Sequence, residues 1–253
     1  MISNYRTALV TGASSGIGEA IVRSLTEHGL IVHAIARRAA RLQKLENETG
    51  CIPHVLDLRD TDALYHTLNP LEVDVLVNNA GMGRGFDTLF KASREDIERT
   101  LETNIIATVH VIKAIAPGMI KRGCGHMIHI GSISGLYPLT SSIYGASKGA
   151  IHLLSQNLRK ELVGTPVRNT EICPGRVHTE FFETALDDPD KQKAMLDSFE
   201  LLQPSDIAES VIFALKMPKR VNINTIEIML SLIHISEPTR LLSISYAVFC
   251  LKK

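Results

Sequence analysis

Compact apolar runs along this chain alternate with longer stretches in which apolar residues return every third or fourth position. Residues 7–10 form the first run, which ends at Gly12. Ile17, Ile21, Leu25 and His28 then follow helical spacing until Gly29. Residues 31–36 read as a second strand and 41–48 as a helix closed by Gly50. Residues 52–56, 73–77, 127–130 and 167–173 read as further buried strands, and 224–229 as the last. Near-continuous apolar runs suit a parallel sheet covered on both faces. The longest helix is expected over 94–121. Ser93-x-x-Asp96 resembles a capping box at its start, Ile97, Leu101, Ile105, Val109 and Ile112 mark its apolar face, and Pro117 should bend it near the end. A second long helix is expected over 143–162 with Leu154, Leu158 and Leu162 inward. A third opens at Pro204 with Ile207, Val211 and Leu215 on one face. Repeated strand–helix–strand units imply right-handed crossovers, and so an α/β fold with a doubly wound parallel sheet and helices on both faces.

Composition narrows this picture. At 253 residues the chain fits one large α/β domain. The pattern holds to about residue 230, so 1–230 is read as a single domain and 231–253 as a tail without clear period. That tail resembles translated adapter or vector sequence and is set aside; the competing reading is a genuine segment covering a subunit interface. Lys plus Arg and Asp plus Glu number 27 each, which gives no footing for nucleic acid or an anionic membrane. No apolar run is long enough to span a bilayer, and the first six residues lead straight into a strand with no room for a signal peptide. Cys51, Cys124, Cys173 and Cys250 are scattered, so no metal site or disulfide framework is expected and a cytoplasmic setting fits.

Two constellations carry chemistry. Gly12, Gly16 and Gly18, in Thr11-Gly-Ala-Ser-Ser-Gly-Ile-Gly18, follow a strand and open a helix. Glycines there let backbone approach a pyrophosphate, and the helix N-terminus supplies free N–H groups and partial positive charge. The alternative is a tight strand–helix turn without a ligand. The second strand ends Ala36-Arg37-Arg38, where sites that choose NAD commonly carry an acid. Two arginines can instead bracket the 2′-phosphate of NADP, or they simply start a solvated helix. Asp57, after the third strand, could accept from an adenine amino group or serve as a turn aspartate. Further along, Tyr144 and Lys148 are four residues apart, one helical turn. A lysine ammonium so placed is expected to lower the tyrosine pKa from about 10 and ready it for general acid–base work. Ser132, on a separate segment, could hydrogen-bond the same substrate oxygen.

Together these residues resemble the short-chain dehydrogenase/reductase family over about residues 5–230. The resemblance is carried by the glycine motif, Asn78-Asn-Ala-Gly81, Asn104, Ser132, Tyr144-x-x-x-Lys148 and Pro174-Gly175-x-Val177-x-Thr179. Segments 35–38 and 221–229 look like its NADP-dependent 3-hydroxy acid (serine, allo-threonine) dehydrogenase branch, whereas 174–180 is closer to the general family pattern. The resemblance implies a Rossmann-type fold and NADP(H) bound by Gly12, Ser14, Ser15, Gly16, Ile17, Gly18, Arg37, Arg38, Asp57, Leu58, Asn79, Tyr144, Lys148, Val177 and Thr179. It implies Tyr144 as proton donor or acceptor, Lys148 lowering its pKa and holding ribose hydroxyls, Ser132 orienting the substrate oxygen, and Asn104 helping to hold a relay water. It also implies a homotetramer built through the two long helices, where Ile106, Val111, Ile115 and Ile120 add apolar surface. Arg176, His178 and Arg84 are the cationic candidates for a small carbonyl or alcohol substrate bearing an acidic group. Residues 181–195 are expected to form a lid in which Phe181, Phe182 and Leu186 close the site, with Tyr137 as a further apolar wall. A nucleotide-sensing regulator would be expected to break the Asn104, Ser132, Tyr144, Lys148 tetrad. An epimerase or dehydratase would recycle hydride without net NADPH consumption.

Overall fold

The computed structural model of the chain describes residues 2, 4–84, 88–139, 141–185 and 200–231, without the side chains of 182 and 184. The tail after 231, Leu186 and most of the expected lid lie outside the described residues. Seven strands form one parallel sheet: β1 (Thr7–Thr11), β2 (Ile31–Ala36), β3 (Ile52–Val55), β4 (Val75–Asn78), β5 (Gly125–Ile130), β6 (Val167–Pro174) and β7 (Thr225–Ile228). Their spatial order is β3-β2-β1-β4-β5-β6-β7, all neighbours parallel. The chain therefore builds outward from β1 to β3, returns to the far side of β1, and builds outward again to β7. This is the doubly wound, Rossmann-type arrangement that the strand–helix alternation predicts.

The sheet separates two apolar layers. Ala8 and Val10 of β1 face α1 (Gly16–Glu27), α2 (Ala39–Thr49) and α8 (Pro204–Lys216), where Ile21, Leu25, Leu42, Ile207 and Val211 are buried. Leu9, one residue along the pleat, faces the opposite layer of α3 (Thr61–Leu68), α5 (Ala107–Arg122) and α6 (Ser142–Glu161), with Leu64, Leu68, Val111 and Met119. α3 is absent from the sequence reading above. Its signals are local: Asp60 caps it by accepting from Ala63 N at 3.0 Å, and Leu64 and Leu68 are one turn apart. A five-residue α7 (Phe181–Ala185) follows β6.

The long central helix departs from expectation in its middle. α4 (Arg94–Leu101), capped by Ser93 as predicted, passes through a π turn at Glu102–Ile106 into α5, and the helix continues through Pro117 to Arg122. A π turn adds a residue to the turn and rotates the buried stripe. That stripe accordingly runs through Thr100, Asn104, Ala107, Val111, Ile115 and Met119, while Val109, expected inward, is exposed. Val111 and Ile115, expected as surplus surface, belong to the core. The combined segment Arg94–Arg122 is also long and apolar enough to cross a membrane by length and composition, contrary to the reading of run lengths; here it lies against the sheet with 44% of its most apolar stretch buried.

Candidate active site

The site forms where the strand order reverses, between the carboxyl ends of β1 and β4. Asn79 ties the two strands together: its Nδ2 donates to Thr11 O at 2.9 Å, and its N–H donates to Thr11 Oγ1 at 3.0 Å. This packs the glycine loop against the next strand with no space to spare. Gly12 has φ +67°, and a Cβ there would come 2.9 Å from Ala80 Cα. A Cβ on Gly18 would lie 2.3 Å from Gly12 O. No other residue type fits either place, so the loop's backbone stays open to a ligand at the N-terminus of α1.

Beside the loop stands Arg38, just before α2. Its Nε donates to Ser14 Oγ at 3.0 Å, its Nη2 to Ser15 Oγ, and its Nη1 to Glu180 at 2.8 Å. Arg41 donates to the same carboxylate at 2.5 Å. The Arg38 and Arg41 hydrogen bonds hold the Glu180 carboxyl below its usual range. Arg37 is 62% exposed and lies 4.0 Å from Asp57. Asp57 is engaged by Arg59, whose Nη2 approaches to 2.6 Å and whose N–H closes the turn at 3.1 Å; these bonds, above all the Arg59 side chain, lower its pKa. The turn role of Asp57 is thus realised, with the carboxylate at the cavity wall alongside Leu58.

Tyr144 and Lys148 stand one turn apart near the start of α6, and Ser132 faces them from the loop after β5. Ser132 Oγ accepts from Ser134 N at 3.1 Å and acts on the Tyr144 phenol to lower its pKa. Lys148 Nζ donates to Ile130 O at 2.7 Å and sits 5.9 Å from the Tyr144 ring centre. The expected lowering of the tyrosine pKa by this lysine is not what the geometry gives. Burial pushes Tyr144 up to about 12, and the opposing effect comes from Ser132. Desolvation of the buried phenol outweighs that effect. Burial likewise brings Lys148 down to about 8. The Phe181 ring lies 5.1 Å from that of Tyr144, over Gly83.

Asn104, in the π turn, clamps the segment after β4: it accepts from Met82 N and donates to Met82 O, both at 2.9 Å, and to Ser147 Oγ at 2.9 Å. Both of its Nδ2 hydrogens are used in these bonds. One cavity of about 870 Å³ brings together Gly12, Ser14, Ser15, Gly16, Ile17, Arg37, Arg38, Asp57, Leu58, Asn79, Ser132, Tyr144, Lys148, Val177 and Thr179. Gly18 and Asn104 support its wall from behind. Arg176 lines the cavity, whereas His178 is exposed and is not among the lining residues. Arg84 also lines it but is paired with Asp96 at 3.2 Å. Tyr137 is bound to Glu227 at 3.1 Å. Sequence reasoning missed Glu180 and Arg59. Glu180 meets Arg38 across 142 positions, which no local pattern signals. It also missed a buried group behind Lys148, in which donor atoms of His152, Glu171 and Cys173 lie within 4.8 Å of one another. His152 and Glu171 already hydrogen-bond each other there.

Comparison with known proteins agrees with this geometry. The family model described as short chain dehydrogenase matches residues 6–190. The NADP-dependent 3-hydroxy acid dehydrogenase YdfG of Escherichia coli K12 is 40% identical, over 87% of this chain and 93% of its own. A serine dehydrogenase solved in its closed form with NADP+ superposes with a TM-score of 0.85 at 40% identity, covering 88% of this chain and 94% of that one. The serine dehydrogenase from Escherichia coli gives 0.78 at 37% identity, covering 91% and 100%. A glycine loop at the strand-order reversal, a Ser132–Tyr144–Lys148 group beside it and these likenesses agree: the chain belongs to the short-chain dehydrogenase family, close to its 3-hydroxy acid dehydrogenase branch.

Proposed function

We propose that this protein is an NADP(H)-dependent oxidoreductase that interconverts a small hydroxy acid or alcohol and its carbonyl form. The observation that carries the reading is that Ser132, Tyr144 and Lys148 line the same cavity as the glycine loop and Arg38. The residues present fit the cofactor. Gly12 and Gly18 leave a cradle that a Cβ would fill, and Arg38 presents its fork beside Ser14 and Ser15, suited to a 2′-phosphate. When bound, NADP(H) supplies or accepts the hydride.

The chain's own groups do the rest. Tyr144 is a phenol at neutral pH and donates its proton to the carbonyl oxygen during reduction; in the reverse direction it takes the alcohol proton. Ser132 holds the same oxygen in line, Lys148 fixes the floor of the site through Ile130 O, and Phe181 shields the phenol from water. Asn104 keeps Met82 in place. Arg176 is the cation at the wall for an acidic substrate group, in keeping with the hydroxy acids named for the relatives. Exposed Ile106, Val109, Ile120 and Leu153 on α5, α6 and the turn before α5 support assembly into a homotetramer, and free Cys51, Cys124 and Cys173 support a reducing, cytoplasmic setting. Tyr144→Phe should cut NADPH oxidation, assayed with a panel of small oxo acids and semialdehydes, by roughly 10²–10⁴-fold. NADPH affinity should stay nearly unchanged. A Phe variant keeping more than half of kcat would overturn the proton-transfer role.

A further inference from the structure

Behind Lys148 lies a buried polar cluster that the reaction just described does not use. β6 turns Asn169, Glu171 and Cys173 toward α6. Glu171 is 0% exposed. Its Oε2 accepts from His152 Nδ1 at 2.6 Å, and His152 Nε2 accepts from Gln156 Nε2 at 2.7 Å, an arrangement that puts the ring proton on Nδ1. Tyr144, Lys148, His152 and Gln156 therefore form one stripe along α6, each four residues from the last. The other carboxylate oxygen, Glu171 Oε1, is buried without a hydrogen-bond partner. It lies against Gly131, where a Cβ would stand 2.5 Å away. Gly131 directly follows Ile130, whose carbonyl holds Lys148 Nζ.

A buried carboxylate with a bare oxygen is unfavourable unless a cation answers it. Lys148 is the cation that the Ile130 carbonyl holds next to Gly131, against which Glu171 Oε1 lies. Burial lowers its pKa, and Cys173 and Glu171 act against that fall. Cys173 is itself pushed up, first by burial and then by the Glu171 carboxylate, so the thiol stays neutral. We propose that Glu171, anchored through His152, is a positioning residue for the reaction, the buried counter-charge to the Lys148 ammonium beneath Tyr144. The proposal rests on the reading of Tyr144 and Lys148 as the working pair, but it is tested on Lys148 alone.

The groups around Lys148 are Tyr144 and, one turn further along α6, His152; Glu171 and Cys173 from β6; the Ile130 carbonyl at the end of β5, with Ser132 on the same cavity; and Asn104 from the π turn. The test is an NMR titration of 15N-labelled lysine Nζ in the full chain, with Lys148 assigned by loss of its signal in Lys148→Arg. Glu171→Gln should lower the Lys148 midpoint by about one pH unit, a roughly tenfold shift from ammonium to amine. Glu171→Asp, which keeps the charge, should retain most of the wild-type midpoint. His152→Ala removes the anchor but not the carboxylate, and should move the midpoint in the same direction as Gln by less. It carries the test if the Gln variant does not fold. A Lys148 midpoint unmoved in a folded Glu171→Gln protein, or unmoved in His152→Ala when only that variant folds, overturns the proposal. Tyr144→Phe turnover is independent of these outcomes, so failure of the catalytic reading and failure of this one are separable.

Discussion

Of the two arginines after β2, Arg38 is the one built into the site. Its fork is shared among Ser14, Ser15 and Glu180, while Arg37 points mainly to solvent. The Arg38–Glu180 pair is itself too exposed to add much stability, with side chains 44% and 37% accessible. Its value is orientation, since the planar fork is held beside the glycine loop before any ligand arrives. Arg38→Gln removes the charge that would meet a 2′-phosphate. Hydrogen bonds to charged groups contribute about 1.5–3 kcal/mol. NADPH affinity, measured by fluorescence titration, should therefore fall by roughly ten- to a hundredfold while NADH affinity changes little. Equal losses for both cofactors would remove Arg38 from this role.

At the scale of the element, β6 is the most instructive strand. All eight of its residues are buried, yet Arg168, Asn169, Thr170 and Glu171 are polar. Each has at least one partner distant in sequence. Arg168 donates to Tyr5 Oη and to the carbonyls of Leu215, Met217 and Val221; Asn169 bridges His129 and Ser155; Thr170 meets His126. This network sets an acid limit on the fold. His129 Nε2 lies 2.8 Å from Asn169 Oδ1 and its Nδ1 lies 3.2 Å from Asn78 Nδ2, which fits a neutral ring with its proton on Nε2. Burial lowers its pKa from 6.5 to about 4. The unfolded chain takes up this proton more readily than the folded one, so the contribution is complete above pH 6.5 and is lost as pH falls toward about 4. The amount is about 3 kcal/mol. Urea midpoints should drop steeply across that window, and His129→Gln should flatten the slope; an unchanged slope would exclude His129 as its origin. The place of β6 was legible in the sequence, because it is bounded by turns and ends at Pro174-Gly175. Its partners were not, since each bond spans at least 14 residues. The same division holds elsewhere. Tyr144 and Lys148 are joined by local helical spacing and were found. The π turn at Asn104 has no composition signal, and it rotated the predicted apolar face.

The whole molecule leaves apolar side chains outside its two cores. Ile106 is 52% exposed, Leu153 57% and Phe213 53%, although both faces of the sheet are already covered. Symmetric pairing of chains would bury such residues. Light scattering at micromolar concentration should give about four times the 27.8 kDa monomer mass, and a value of 27.8 kDa would refute assembly. The crossing between β1 and β4 has a further result, for the order in which the protein becomes competent. Thr11 and Asn79 are 68 residues apart, and Arg38 and Glu180 are 142 apart, so no short contiguous fragment contains the binding surface. Loop closure on that span comes late, after local helices have formed. A nascent or partly folded chain would therefore bind no dinucleotide. By mass action the ligand would stabilise only the finished fold, which makes cofactor supply a determinant of how much of this protein survives in its folded state.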